Sequence, residues 1–324
     1  MRALIVPNKG EPAELREVNE DELLTGEVEL DVTHSSLNYK DGLAVTGRGI
    51  VQAYPLVAGI DIVGTVTASA SERFAPGDVV VLNGDRVGES LHGGFATRAR
   101  VRPDALVHVP EKLGAARAAA IGTAGFTAMI AVLALEDQGV TPQDGEVLVT
   151  GAAGGVGSIA LSLLAGRGFT VVASSGRKGT QGDYLAQLGA SEVIDRAELG
   201  EPGKPLQSQR WAGAIDSVGS HTLANVLAQT KYGGAVAACG MVQGIGLPAS
   251  VLPFILRSVT LTGANSVDAP LELRERAWAA LAEELDLDVL YGMSETIGLD
   301  EVLPTAERIL AGEVRGRTVV DVNR

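Results

Sequence analysis

Cysteine is nearly absent. Cys239 is the single cysteine in 324 residues. That excludes an internal disulfide and a structural metal site built from clustered cysteines, and it fits a reducing, cytoplasmic compartment. Histidine is almost as scarce. His34, His92, His108 and His221 are scattered, and each reads as a core or surface residue rather than a ligand. Positive charge is in deficit as well: 26 Lys and Arg stand against 40 Asp and Glu, for a net charge of -14 and a pI of about 4.8. That balance argues against nucleic acid and anionic membrane as partners. A true membrane span is also lacking. Residues 118–135, AAAIGTAGFTAMIAVLAL, carry no charge, but much of the run is Ala, Thr and Gly. The segment IGTAG interrupts any continuous helix, and no aromatic anchors flank the run, so a helix buried between domains is expected. Met1 to Val6 is too short an apolar segment for a signal peptide. There is no internal repeat and no low-complexity segment.

Glycine is abundant, with 41 residues, as suits many tight strand–helix turns. A composition of 46% hydrophobic and 20% charged residues is globular, and the length allows two domains. The most informative stretch is GEVLVTGAAGGVGSIALSLLAGRGFTVVASSGRKG, residues 145–179. Val147 to Val149 form a short apolar run, as in a strand buried on both faces. Ala152, Gly154 and Gly157 then fill the three small-residue positions of a G-x-G-x-x-G turn. A helix is predicted over 156–167, ending at Gly168, and a strand over 170–173. Small residues let the turn tighten, let the backbone approach a pyrophosphate, and let the helix pack on the strand. The helix N-terminus would face that phosphate. A glycine turn without a ligand is the alternative, but the setting within a β-α-β unit favours dinucleotide binding.

The end of the second strand bears on which dinucleotide. An NAD site usually carries an acid there, about 20 residues on, for the ribose 2′-hydroxyl. This chain has Ser174, Ser175, Gly176, Arg177 and Lys178, with no acid until Asp183. A 2′-phosphate needs cations and hydroxyl donors. The turn therefore predicts NADP(H).

Residues 1–110 are β-rich. Short runs at 2–6, 27–37, 62–68, 77–83 and 105–110, separated by Gly, Pro and Asp, predict a small barrel-like domain. GGF at 93–95 marks a close backbone approach or a bulge. Residues 111–140 turn helical. From Gly145 strands and helices alternate, with further strands at 191–195, 213–219, 233–240 and 259–265, which predicts a doubly wound parallel sheet of six strands. The chain is helical again after Ala269, and a last strand at 316–322 should return to the first domain.

These motifs together carry a family resemblance. SSLNYKDGL (35–43), YPLVAGIDIVGTV (54–66), IGTAGFTAMIAVLALED (121–137), GAAGGVGSIA (151–160), SSGR (174–177), YLAQLGAS (184–191), WAGAIDSVG (211–219), YGGAVAACG (232–240) and LPFILRSVTLTG (252–263) span nearly the whole chain. The chain resembles the medium-chain dehydrogenase/reductase superfamily, in its zinc-free acryloyl-CoA reductase, quinone oxidoreductase-like branch. The resemblance implies an α/β fold: a GroES-like β-rich catalytic domain plus a Rossmann doubly wound sheet, with a cleft between them. It implies residues 1–118 and 264–324 in the catalytic domain and 119–263 in the NADP-binding domain. Zinc alcohol dehydrogenases carry a Cys early and a Gly-His-Glu later. Here those regions read Asn38-Tyr39-Lys40-Asp41 and Gly59-Ile60-Asp61, so no metal is expected.

For the cofactor, the resemblance implies Ala153, Gly154, Gly155 and Val156 at the pyrophosphate, and Ser175, Gly176 and Arg177 at the 2′-phosphate. Arg196 lies near the adenosine, Thr123 toward the nicotinamide, and Met241, Ile255 and Ser266 at strand ends facing the cleft. Tyr39 is implied beside the nicotinamide, where its hydroxyl would stabilise an enolate or position a water. Simple stacking is the equal alternative. Asp41 reads as an N-cap or turn residue of the NYKDG loop, and Lys40 as solvated or as an attractor of an anionic substrate. No Ser-His-Asp or Cys-His set is apparent. The implied reaction is NADPH-dependent reduction of a small enoyl thioester or enone, acryloyl-CoA first. A quinone or alkenal reductase and a cofactor-binding protein without turnover remain open. The apolar stretch 251–263 would shield a sheet edge in a homodimer, as the resemblance also implies.

Overall fold

The computed structural model describes residues 1–22 and 25–324. Among them the chain forms two compact units. The first comprises Met1–Phe126, Ser266–Glu283 and Leu290–Arg324. The second comprises Thr127–Asn265 and Glu284–Val289.

The first unit is built on a seven-stranded, mostly antiparallel sheet around Val28–Leu37. Val28, Leu30 and Val32 alternate into a core with Ile62, Val66, Val80, Leu82 and Phe95, as expected of strands with one buried face. Burying such a side chain fully is worth about 1.5–3 kcal/mol. The last three residues of Val28–Leu37 are all buried, Ser35 and Ser36 included, so polar groups enter the interior there. The closing strand, Arg317–Asp321, does return to this unit. It pairs antiparallel with the same strand, Thr318 opposite Leu37 and Val320 opposite Ser35. GGF at 93–95 is a close backbone approach: a Cβ on Gly93 would lie 2.6 Å from the Ala58 carbonyl oxygen. The strand expected over 105–110 shrinks to Val107–His108, because a turn closed by Leu106 N–H on Pro103 O takes up the preceding residues.

The second unit holds six parallel strands in the order Ala190–Asp195, Thr170–Ser175, Glu146–Thr150, Trp211–Asp216, Thr230–Ala238, Thr260–Gly263. The chain builds outward from Glu146–Thr150 on one side and then crosses to build outward on the other. That reversal creates a switch point at the C-terminal ends of Glu146–Thr150 and Trp211–Asp216, where doubly wound sheets take their ligands. Val147, Leu148 and Val149 are fully buried, as their continuous apolar run requires. The helix Gly155–Gly166 ends where Gly168 takes φ +83, the left-handed turn that favours glycine.

The apolar stretch 118–135 lies in the helix Gly114–Asp137, long and apolar enough to cross a membrane yet mostly buried within the protein. It is broken at Gly122, with φ 49 and ψ -162, as the IGTAG sequence anticipates. The stretch 251–263 is not one extended segment. Pro253 opens a short helix, Leu252–Arg257, which Ser258 ends in the left-handed region. Only then does the edge strand Thr260–Gly263 begin. Ile255 therefore sits within a helix and not at a strand end, because proline is favoured in a helix's first turn and cannot donate to a sheet ladder.

Candidate nucleotide site and buried polar cluster

In the second unit the glycine turn follows Glu146–Thr150 directly. Gly151 has φ +61, and Gly154 N-caps the helix Gly155–Gly166 without a side-chain cap bond. Uncapped first-turn amides suit an anion. A Cβ on Gly157 would meet Ala152 Cα at 2.6 Å, so helix and turn touch backbone to backbone. Ala153, Gly154, Gly155 and Val156 form this turn and the first helical residues. Tyr184 donates to Ser158 Oγ at 2.8 Å, and Ser158 donates to the Ala152 carbonyl at 3.2 Å, which ties the next helix, Lys178–Gln187, to the turn.

Ser175, Gly176, Arg177 and Arg196 are brought together. Arg177 N–H donates to Ser175 Oγ at 3.1 Å, and Arg196 N–H to Ser175 O at 3.3 Å. A Cβ on Gly176 would come within 2.5 Å of Arg196 Nε, so glycine makes room for that side chain. Asp195 pairs in register with Ser175, but its carboxylate accepts from Ala197 N–H at 2.9 Å. Two guanidinium-bearing residues, a serine and an uncapped helix end form a donor set that fits a dinucleotide with a 2′-phosphate.

The switch point is bridged by Thr150, whose hydroxyl donates to buried Asp216 Oδ1 at 2.6 Å, while Gly219 N–H donates to Oδ2 at 2.7 Å. Burial raises the Asp216 carboxyl above its ordinary range, against these hydrogen bonds. Burial and then the Asp216 charge push the Cys239 thiol up to about 12, so it is no thiolate nucleophile. Met241 is exposed beyond the strand Thr230–Ala238, its Cα 3.2 Å from where a Gly219 Cβ would stand. Ile255 is exposed on its helix.

The first unit holds a buried polar cluster. Asn38 N-caps the helix Tyr39–Val45 in a capping box with Asp41, and Tyr39, its first residue, is 44% exposed. Asp41 Oδ2 accepts from Asn38 N–H at 2.9 Å and Nδ2 at 3.0 Å, and Oδ1 accepts from Ile60 N–H at 2.8 Å. Burial, and then the Asp61 charge, raise the Asp41 carboxyl to about 7 against those hydrogen bonds. Asp61 Oδ1 accepts from Asn83 Nδ2 and Thr123 Oγ1, each at 2.6 Å, and from Thr123 N–H at 2.9 Å. Its Oδ2 accepts from Ser36 Oγ and, at 2.8 Å, from Asn38 Nδ2. Arg317, also buried, donates to Ala120 O at 2.7 Å, Asn38 Oδ1 at 3.1 Å and Ser36 Oγ at 2.9 Å. Burial lowers the pKa of its guanidinium, while the Asp61 and Asp41 charges oppose that shift.

The helix break at Gly122 makes the cluster possible. In an unbroken helix the Ala120 carbonyl and the Thr123 amide would bond within the helix. The break releases the carbonyl to Arg317 and the amide to Asp61. A Cβ at Gly122 would also meet Arg317 Nη2 at 2.8 Å and Asp61 Oδ2 at 2.9 Å. A second buried arginine, Arg274, donates to Asn83 O at 2.6 Å, Val267 O at 2.9 Å, Ala269 O at 2.9 Å and Ser266 O at 3.3 Å. Thr123 and Ser266 thus belong to one network, and Tyr39 directly follows another of its members, Asn38. Lys40 is neither free nor fully solvated, since its Nζ lies 2.6 Å from Glu89 Oε1. Sequence reading missed Asp61, Arg317 and Arg274 as working residues. For Asp61 a signal was present, since an acid opens the apolar strand DIVGTV.

Among the described residues, no group of three or more His, Cys, Asp or Glu side chains could hold a metal ion. Residues 25–111 match the alcohol dehydrogenase GroES-like domain family, and residues 155–284 the zinc-binding dehydrogenase family. The chain is 51% identical over 313 residues to acrylyl-CoA reductase AcuI of Ruegeria pomeroyi, covering 96% of this chain and 94% of that protein. The yhdH oxidoreductase of Salmonella enterica, solved with NADP, superposes with a TM-score of 0.97 at 49% identity, covering 99% of this chain and 100% of that one. The yhfP protein of Bacillus subtilis, solved with NAD, gives 0.94 at 41% identity, covering 99% of each chain. The chain belongs to the medium-chain dehydrogenase/reductase superfamily, in its quinone oxidoreductase-like branch.

Proposed function

We propose that the protein reduces the C=C bond of a short 2-enoyl-CoA with NADPH, acryloyl-CoA to propanoyl-CoA. The observation that carries this reading is the similarity to an acrylyl-CoA reductase over nearly the full length of both chains. The first unit serves the substrate and the second the nucleotide. When bound, NADPH supplies the hydride. Ala153, Gly154, Gly155 and Val156 receive the pyrophosphate, and Ser175, Gly176, Arg177 and Arg196 the 2′-phosphate end. Met241 belongs to the same sheet end of the second unit, and Thr123 and Ser266 are the first unit's residues assigned to this function, whereas Ile255, on its exposed helix, is left out.

The thioester carbonyl activates the alkene, and negative charge then develops on its oxygen. Such charge needs fixed hydrogen-bond donors. Tyr39 offers a phenolic hydrogen-bond donor at the start of a helix whose N-cap is fastened on both sides. The donor set favours zinc independence: Asp61 is saturated by hydrogen bonds, Asn38 replaces a thiolate, and the one cysteine lies in the other unit against Asp216. Metal analysis should find no stoichiometric zinc. A homodimer through the edge strand Thr260–Gly263 would cover exposed Val251, Ile255 and Leu256, and light scattering reads this directly. The single, half-buried cysteine is consistent with a cytoplasmic location.

The test is a steady-state comparison of acryloyl-CoA, crotonyl-CoA, free acrylate, a simple quinone and a small enone with NADPH. Acryloyl-CoA should give the highest kcat/KM. A quinone turned over with much higher efficiency would make the protein a quinone reductase, and no turnover of any of them would leave a nucleotide-binding protein.

A further inference from the structure

The cluster around Asp61 contains two fully buried carboxylates, Asp41 and Asp61, and one guanidinium, Arg317. Buried charges of this kind add little net stability compared with apolar packing. Their geometry is more informative than their energy. Arg317 reaches Asp61 through two intermediates that can each both accept and donate. Asn38 Oδ1 accepts from Arg317, which obliges its Nδ2 to face Asp61 and Asp41. Ser36 Oγ accepts from Arg317, which turns its own hydrogen toward Asp61. The third contact, Nε to Ala120 O, anchors the last turn before the Gly122 break, and Thr123 follows that break. One side chain therefore fixes both the Asn38–Tyr39 turn and the Thr123 turn.

We propose that Arg317 is a positioning residue for the reduction: by setting the direction of the Asn38 and Ser36 hydrogen bonds and holding Ala120, it keeps Tyr39 and Thr123 in working register. This rests on the reading that those two residues serve the nicotinamide end. A lysine would supply the charge without the planar fork, so it should not substitute.

The experiment uses Arg317→Lys in the full chain. Thermal unfolding checks that it folds. NADPH affinity, drawn mainly from the glycine turn and the 2′-phosphate residues, should stay within about threefold of wild type, while kcat falls by about tenfold or more. The emission of bound NADPH, which reports the surroundings of the nicotinamide without turnover, should shift. Added guanidinium should restore part of the kcat lost in Arg317→Ala. An Arg317→Lys protein with wild-type kcat and emission overturns the proposal. So does a kcat lowered only in proportion to the fraction of sites that bind NADPH, with no guanidinium rescue. If wild type reduces no enoyl-CoA but the emission still shifts in Arg317→Lys, the functional reading fails and the positioning role stands.

Discussion

Tyr184 and Ser158 share a buried hydrogen bond at 2.8 Å between two consecutive helices of the nucleotide unit. Ser158 passes the constraint on to the Ala152 carbonyl in the glycine turn. The helix behind the Ser175–Arg177 turn is thereby fixed against the turn assigned to the pyrophosphate. Tyr184→Phe should cost about 0.5–1.5 kcal/mol of stability and raise the NADPH Kd a few-fold. Denaturant unfolding and NADPH titration check both. An unchanged Kd would show that the link is structural only.

The proposed 2′-phosphate site makes Arg177 the test of cofactor choice. Wild type should prefer NADPH to NADH, and Arg177→Glu should abolish or reverse the preference, since each charge-assisted phosphate bond is worth about 1.5–3 kcal/mol. The ratio of kcat/KM values for the two cofactors is the measurement. Equal efficiency in the unmodified protein refutes the assignment.

Asp41 gives a pH dependence with a definite sign. Burial, and then the Asp61 charge, push its carboxyl in the folded protein up to about 7 from the ordinary 3.8. Between those values the folded state holds a proton that the unfolded chain has released, so stability falls as pH rises. The penalty is absent below the lower value and complete above the upper one. Asp41→Asn removes it, at the cost of one hydrogen bond. The variant should therefore gain on wild type as pH rises from about 5 to about 8, by on the order of a few kcal/mol at most. Unfolding free energies at both pH values decide the matter, and a gap that stays constant rejects the shift.

Gly122→Ala should be severely destabilising, by well over about 1 kcal/mol, because it combines a strained φ with a methyl group driven into the Asp61 cluster. An alanine elsewhere on the same helix, at Gly125, provides the comparison in thermal unfolding. Equal melting temperatures for the two variants would show that the break tolerates a side chain.

Much of this was legible in the sequence, and the reason is local. Val147–Val149, the small residues at 152, 154 and 157, and Gly168 each have a conformational role that neighbouring residues reveal. The same holds for SSGRK, where the absence of an acid has a direct electrostatic meaning. Ile255 was misplaced because an apolar run reads alike in a strand and a short helix, and Pro253 was the overlooked sign. Arg317 was not legible as part of a site. Its partners lie 279 and 281 residues away, and no periodicity connects residues so distant.

That separation has a consequence for how the protein is made. The nucleotide unit is nearly continuous in sequence and can close once its last strand leaves the ribosome. The first unit cannot, because the cation that faces its two buried acids, Arg317, follows the whole nucleotide unit in the chain. A nascent chain must therefore carry an unfinished first unit until Arg317 has been made, after the nucleotide unit is complete. Truncation within the last strand would leave that body unable to complete itself, while the nucleotide unit would already be formed.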